Sequence, residues 1–340
     1  MNISDIARMA GVSKGTVSRV INQKPYGMSE ETRKHIQQIM DEVGYVPNSM
    51  ARSISLSETK VIGLIIPDVE NPFFPQIVRG VEDYAFRKGY TVYLCNSDLN
   101  IKKENNYLHS LIEKRVDGII LNTSGEQDDD KLEKLLEVTG IPIILMDRKT
   151  ECFRKYPGVF IDNEQSAYAG AKHLIANGCS KIAFLGGEKK IYTVQKRYEG
   201  YRKALDQYGL EEFGKDQMYG KLSIESGYER AVKMFQKTDV PDAIFAGADV
   251  IAIGVLRAAR EAGICVPDQL QVLGFDNISL CDIVTPSLTT VAQPIYEMGK
   301  KAAQLLLSSI QNSDRQLEDI ILPAELVIRN STKSQQDTTT

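Results

Sequence analysis

The chain has no run approaching about 18 uninterrupted apolar residues, which excludes a membrane-spanning helix. It holds only three histidines (His35, His109, His173) and five cysteines (Cys95, Cys152, Cys179, Cys265, Cys281), all far apart and without a C-x-x-C pair. Neither set has metal-ligand spacing, so no metal and no cofactor is expected. An odd, unframed cysteine count fits a reducing compartment, and an N-terminus carrying Asp5 and Arg8 does not read as a signal peptide. A cytoplasmic protein is expected. Phosphate-binding loops are also missing: no G-x-G-x-x-G follows the first apolar run, and Gly186-Gly187 before Lys189 and Lys190 is too short for one. No G-x-S-x-G elbow is expected, and carboxylates without a nucleophile do not make an active site. The expectation is a protein that is not an enzyme.

What remains is an ordinary globular composition, 42% hydrophobic and 25% charged, in 340 residues. That length suits two or three domains of about 100–150 residues each. Net charge is −4, but it is unevenly spread. Residues 1–56 carry seven Lys/Arg against five Asp/Glu, a net +2, which leaves −6 for the other 284 residues. A mildly basic head on an acidic body fits a nucleic-acid binder with a separate sensor, although +2 is too little for affinity to rest on charge alone.

The head has the punctuation of three short helices. Asn2 and Asp5 stand in capping-box spacing ahead of Ile6 and Ala10, Gly11 breaks the helix, and Ser13 can cap the next. That second helix, about Lys14 to Asn22, turns Val17, Val20 and Ile21 inward. It leaves Lys14, Thr16, Ser18, Arg19 and Asn22 on the other face. Ser29 opens a third helix, striped by Ile36, Ile39, Met40 and Val43 and closed by Gly44. The four-residue turn Ala10–Ser13 makes this a helix-turn-helix pattern. The polar face is either the solvated side of a small bundle or a reader of the DNA major groove. In the second case Arg19 and Lys14 reach base edges, while Ser13, Thr16, Ser18 and Asn22 bond phosphates.

From Lys60 on, apolar runs alternate with helical patterns such as Ile77–Lys88 and Glu225–Gln236. The runs are VIGLIIPD, YTVYLCNSD, GIILNTS, PIILMD, GVFIDN, IAFLGG, AIFAGAD and QVLGFDN. Their continuity reads as parallel strands buried on both faces, in a doubly wound α/β arrangement. Six of them end on an aspartate: Asp68, Asp98, Asp147, Asp162, Asp249 and Asp276. The carboxyl edge of such a sheet is where ligands bind, although Asp also starts turns and caps helices, so about half are expected at a ligand.

The run ISDIARMAGVSKGTVSRVIN (Ile3–Asn22) resembles the headpiece of the LacI/GalR family of bacterial repressors, and GYVPNSMARSI resembles that family's hinge. The resemblance covers essentially the whole chain. It implies a sequence-specific repressor that binds near-palindromic operator DNA as a homodimer. A small effector, a sugar or sugar derivative, controls it; a purine or a protein corepressor is the alternative. By the resemblance, the Asn48–Ile54 hinge helices of two subunits pack in the minor groove. Ile54 takes the place of the family's wedging leucine, Ala51 allows close approach and Arg52 reaches phosphate. Gly15 is a departure, since many relatives carry a larger base-reading residue there. The body resembles periplasmic sugar-binding proteins. Phe73 and Phe74 of an NPFF loop, Thr193, Arg197 and Asp276 match ligand-adjacent positions, joined by strand-end Asp68, Asp147 and Asp249. Relatives often have Asn-Asp where this chain has Ala248-Asp249.

The implied organisation is an all-α headpiece at 1–46 and a hinge and linker at 47–60, followed by a body of two doubly wound parallel-sheet subdomains. The N-subdomain spans 61–161 plus 292–321, the C-subdomain 162–291 plus 322–332, and a disordered tail follows at 333–340. That tail lacks the apolar heptads that would join dimers into a tetramer. A periplasmic transport protein would not carry the headpiece.

Overall fold

The computed structural model describes residues 1–22, 26–45, 58–125, 130–312 and 317–333, divided into two compact units between Lys60 and Val61. In the first unit, α1 (Ile3–Met9), α2 (Lys14–Ile21) and α3 (Glu30–Glu42) start where the sequence places caps. The Asn2 side chain accepts from the Ser4 and Asp5 amides while Asp5 returns a bond to the Asn2 amide, a complete capping box. Ser13 and Ser29 cap α2 and α3 through the Thr16 and Thr32 amides. Ile6, Ala7, Val17, Val20, Ile36, Ile39 and Met40 form the core of this small bundle.

The second unit contains two sheets. The first, in the order β10-β5-β4-β3-β1-β2, is parallel throughout. Its strands are β1 (Val61–Ile66), β2 (Thr91–Asn96), β3 (Gly118–Leu121), β4 (Ile143–Met146), β5 (Gly158–Ile161) and β10 (Ile320–Leu322). The second, in the order β11-β9-β8-β7-β6, uses β6 (Ile182–Leu185), β7 (Ala243–Ala246), β8 (Gln271–Asp276), β9 (Thr289–Ala292) and β11 (Glu325–Val327). Here β11 runs antiparallel to β9, so this sheet is mixed rather than purely parallel. The expected two-faced burial holds for β1 and β3 to β8 but not for edge strand β2, whose Tyr93 and Leu94 are exposed.

The crossover helices are α4 (Phe73–Arg87), α5 (Ile101–Glu113), α6 (Asp130–Thr139), α7 (Asn163–Ala176), α8 (Tyr192–Gln207), α9 (Ile224–Phe235), α10 (Asp249–Glu261) and α11 (Ile295–Gln311). The chain leaves the first sheet after β5, returns after β9 through α11, and leaves it again between β10 and β11. Helix α11 lies so close to α4 that a Cβ on Gly80 would sit 2.1 Å from the Tyr296 carbonyl, and one on Gly299 2.2 Å from that of Ile77. In the first sheet the chain turns to opposite sides of β1, to β2 and to β3. The crevice outside its carboxyl end is the position physics favours for a ligand.

Candidate functional site

On the headpiece, Lys14 and Gly15 are exposed, whereas Thr16, Ser18, Arg19 and Asn22 are half-buried. Ser13 and Thr16 share a hydroxyl bond of 2.9 Å, and the Asn22 amide donates to the Ser18 hydroxyl at 3.3 Å. Arg19 is folded back: Nε donates to the Gly15 carbonyl, Nη1 to the Tyr26 carbonyl at 3.2 Å and Nη2 to the Thr16 hydroxyl. It therefore ties the loop after α2 to that helix, a second job that its sequence position did not reveal. A base contact by Arg19 requires it to exchange these neutral acceptors for a stronger one. The string G-x-S-x-G does occur, at Gly11–Gly15, but it spans a helix-to-helix turn in which Ser13 is a cap. Ala51, Arg52 and Ile54 of the hinge lie outside the described residues, as do tail residues 334–340. Lys333, expected in a disordered tail, is instead fixed by the Gln271 and Asn177 side chains.

Gly15 has no backbone reason to be glycine, since a Cβ there would meet only the Ser13 hydroxyl at 3.6 Å. Gly15→Ala should stabilise the headpiece by about 0.5–1 kcal/mol through helix propensity, read by thermal melting.

In the body, a narrow cavity of about 20 Å³ is lined by Asn71, Phe73, Phe74, Asp147, Arg148, Thr193, Val194, Arg197, Leu222, Ala248 and Asp276. It gathers the ends of β1 and β4 from the first sheet with α8, β7 and β8 from the second half. Phe73 and Phe74 are not in a loop as the sequence suggested. They form the first turn of α4, where Asn71 accepts from the Phe73 amide and Pro75 is tolerated. Their rings meet edge to face, with centroids 5.1 Å apart. Arg197 is the hub of the far wall. It donates to Asn163 Oδ1 at 2.8 Å and to the Gly247 carbonyl at 2.7 Å, lies 3.2 Å from Asp276 Oδ1, and stacks 3.7 Å over the Phe275 ring.

The opposite wall carries Asp147 and Arg148, both buried, with Arg148 Nε 3.6 Å from Asp147 Oδ2. Asp147 Oδ1 and Arg148 Nε have no hydrogen-bond partner. Behind the walls, Asn122 Oδ1 and Gln293 Oε1 are also unpartnered. The orientation of those two amides follows from chemistry, because their nitrogens donate to Asp147 Oδ2 and to Asp276 Oδ1. Buried polar atoms without partners are costly, so Asp147 Oδ1 and Arg148 Nε in the lining mark a place suited to receive polar groups. Asn71, Asn122, Asn163, Arg148 and Gln293 were not picked out in the sequence. The available signal was Arg148 standing directly after a strand-end Asp.

Burial pushes the Asp276 carboxyl up to about 8 despite the pull of Arg197, with Asp249 and Asp147 adding repulsion. Burial also lowers Arg148, opposed by Asp147. Between the ordinary carboxylate value of 3.8 and about 8, the folded body binds a proton that the unfolded chain does not. The stability tied to Asp276 is therefore present at low pH and lost as pH rises through 8. Melting temperature should fall from pH 5 to pH 8.5 more steeply in the wild type than in Asp276→Asn. Parallel curves would contradict the assignment.

Two expected cavity residues are elsewhere. Asp68 accepts from the Glu70 amide in a tight turn and does not line the cavity. Asp249 is fully buried: Oδ1 accepts from the Thr290 hydroxyl, and Oδ2 accepts from the Ile278 amide and the Cys281 thiol, so its acceptors are spent on the fold. Asp162 caps α7 and Asp98 pairs with Lys103. Of the six strand-end aspartates, Asp147 and Asp276 line the cavity. Among the described residues no cluster of His, Cys, Asp and Glu could hold a metal ion, and no helix is long and apolar enough to cross a membrane.

A three-helix headpiece followed by a two-sheet, cleft-bearing α/β body defines a ligand-sensing regulatory protein. Residues 2–48 match the model described as bacterial regulatory proteins, lacI family. Residues 59–330 match that of periplasmic binding proteins and the sugar binding domain of the LacI family. The chain belongs to the LacI family of transcriptional regulators, which are not enzymes. It is 38% identical to the ribose operon repressor of Halalkalibacterium halodurans, over 97% of each chain. It is 37% identical to the transcriptional repressor PurR of Photobacterium profundum, over 97% of this chain and 98% of that one. Among solved structures it is similar to the lac repressor dimer bound to operator and an anti-inducer. The TM-score is 0.86 and the identity 27%, over 98% of this chain and 99% of that one.

Proposed function

We propose that this chain is a cytoplasmic repressor of a carbohydrate-utilisation operon that binds a near-palindromic operator as a homodimer. Its effector is a small neutral sugar held between Asp147–Arg148 and Arg197–Asp276. The observation that carries the ligand class is a lining that mixes carboxylates with guanidinium groups, Asp147 and Asp276 beside Arg148 and Arg197, in which Asp147 Oδ1 and Arg148 Nε have no hydrogen-bond partner. A hydroxyl group can donate to the carboxylate and accept from the guanidinium, whereas a phosphate or carboxylate brings acceptors against Asp147. A second reading, a planar nucleobase, is favoured by the Phe73–Phe74 pair.

The two halves of the body, 61–161 plus 292–321 and 162–291 plus 322–332, are read as rocking about the cleft and so controlling the hinge. The exposed Tyr93 and Leu94 on edge strand β2 favour self-association on that side. Ser13, Lys14, Thr16, Ser18 and Asn22 are read as phosphate and base contacts beside Arg19, with Ala51, Arg52 and Ile54 in the minor groove. Ile54→Ala should weaken specific binding while sparing non-specific binding, measured by anisotropy on operator and scrambled duplexes. Equal loss on both would remove the wedge.

The test of the effector class is a thermal-shift screen of the full chain against pentoses, hexoses, sugar acids, sugar phosphates and purines. A ligand at about 100 times its Kd adds roughly 2.7 kcal/mol. A shift with a neutral sugar supports the reading, and a shift with purines alone transfers it to the nucleobase.

A further inference from the structure

We infer that Arg329, outside the cavity and two residues beyond β11, is a positioning residue for Asp276. The inference rests on the reading of the cleft as the effector site. Asp276 and Asn277 are consecutive non-glycine residues at φ +120° and +63°. Asn readily adopts the left-handed region near +63°, but +120° is strained for a non-glycine residue and persists only where its surroundings impose it. Two groups impose it here. From inside, Asp249 holds the Ile278 amide at 2.9 Å and the Thr290 hydroxyl at 2.6 Å.

From outside, the guanidinium of Arg329 grips the β8–β9 connection at three places. Nη2 donates to Asn277 Oδ1 at 2.9 Å, Nε to Asp282 Oδ1 at 2.6 Å and Nη1 to the Leu288 carbonyl at 2.9 Å. Its own amide donates to the Thr289 hydroxyl at 2.8 Å, and the Thr289 hydroxyl donates to its carbonyl. The strand end is itself anchored, because Ser331 bonds across β8 and β9 to the Val272 carbonyl and the Thr289 amide. Arg329 is thus a planar fork fixing both ends of one loop, a role that a lysine cannot fill with a single point charge. Held this way, the loop presents the Asp276 carboxylate to Arg197 and to the cavity.

The test uses the full chain, with hydrogen–deuterium exchange of segment 276–283 and calorimetric titration of D-ribose as the sugar probe, on Arg329→Gln, Asn277→Gly and the double variant. Asn277→Gly removes the side-chain acceptor while accepting positive φ freely. In Arg329→Gln, exchange in 276–283 should rise about tenfold or more while β6 and β7 keep their protection. The double variant should lose little beyond Arg329→Gln alone, because one bond links the two residues. Unchanged local exchange, loss of protection throughout the second sheet, or fully additive losses would each overturn the positioning role. If the exchange pattern appears while ribose gives no heat with the wild type, the clamp stands and the choice of sugar falls. If ribose binds the wild type and Arg329→Gln equally, positioning is overturned.

Discussion

Arg197→Ala is expected to flatten the effector response while leaving operator binding by the headpiece intact. The side chain holds Asn163, the Gly247 carbonyl and Asp276 and covers Phe275, so its removal dismantles one wall of the cavity. Breaking a buried pair by deleting one partner usually costs about 3–5 kcal/mol. Here the cost should fall toward the low end, near 3 kcal/mol, since Asp276 is already pushed up to about 8 and can take a proton. The loss should be larger at pH 9 than at pH 6, because only at high pH is an unpaired carboxylate left buried. Adding Asp276→Asn should recover part of that stability at pH 9. Effector affinity should fall about 100-fold or more, as expected when one member of a buried charged contact is removed. A titration indistinguishable from wild type would take Arg197 out of the site.

The second large effect is expected on the other unit. A bidentate contact from arginine to guanine is worth about 1–3 kcal/mol, and a symmetric dimer makes it twice. Arg19→Ala should therefore reduce operator affinity by about 100-fold or more, with a smaller loss on non-specific duplex. Arg19 also holds the Tyr26 carbonyl, so the alanine variant should melt slightly lower. Arg19→Lys separates the two roles: it keeps the charge, and so the salt dependence, but loses the fork that distinguishes guanine. If Arg19→Lys retains full sequence discrimination, the base contact belongs to another residue.

The strands were legible because seven of the eight apolar runs sit between layers of helices. The headpiece was legible because Asn2, Ser13 and Ser29 are caps whose chemistry is local. Strands β9 to β11 were not among the runs read as strands. They are three or four residues long, and β9 is the threonine-rich TTVA.

The strand-end aspartates show most clearly where sequence reading stops. Asp147 and Asp276 enter the cavity from backbone at φ +63° and +120°, whereas Asp249 stands in the first turn of α10 and serves the interior. Backbone φ is not visible in the sequence, and it is not sufficient either, since Asp98 at +53° faces Lys103 on the surface. The amides were missed for a related reason. Asn122, Asn163 and Gln293 reach the cavity only through the carboxylates and the guanidinium that they orient. That second layer depends on strands distant in sequence.

Ligand in the cleft and operator on the headpiece are expected to be energetically linked. The direct measurement is operator affinity by fluorescence anisotropy, with and without the sugar that raises the melting temperature. It is repeated in reverse as sugar affinity with and without operator DNA. Linkage requires the two ratios to be equal. A matched change of about tenfold or more in both directions is the expected result, and operator affinity identical with and without saturating sugar would contradict it.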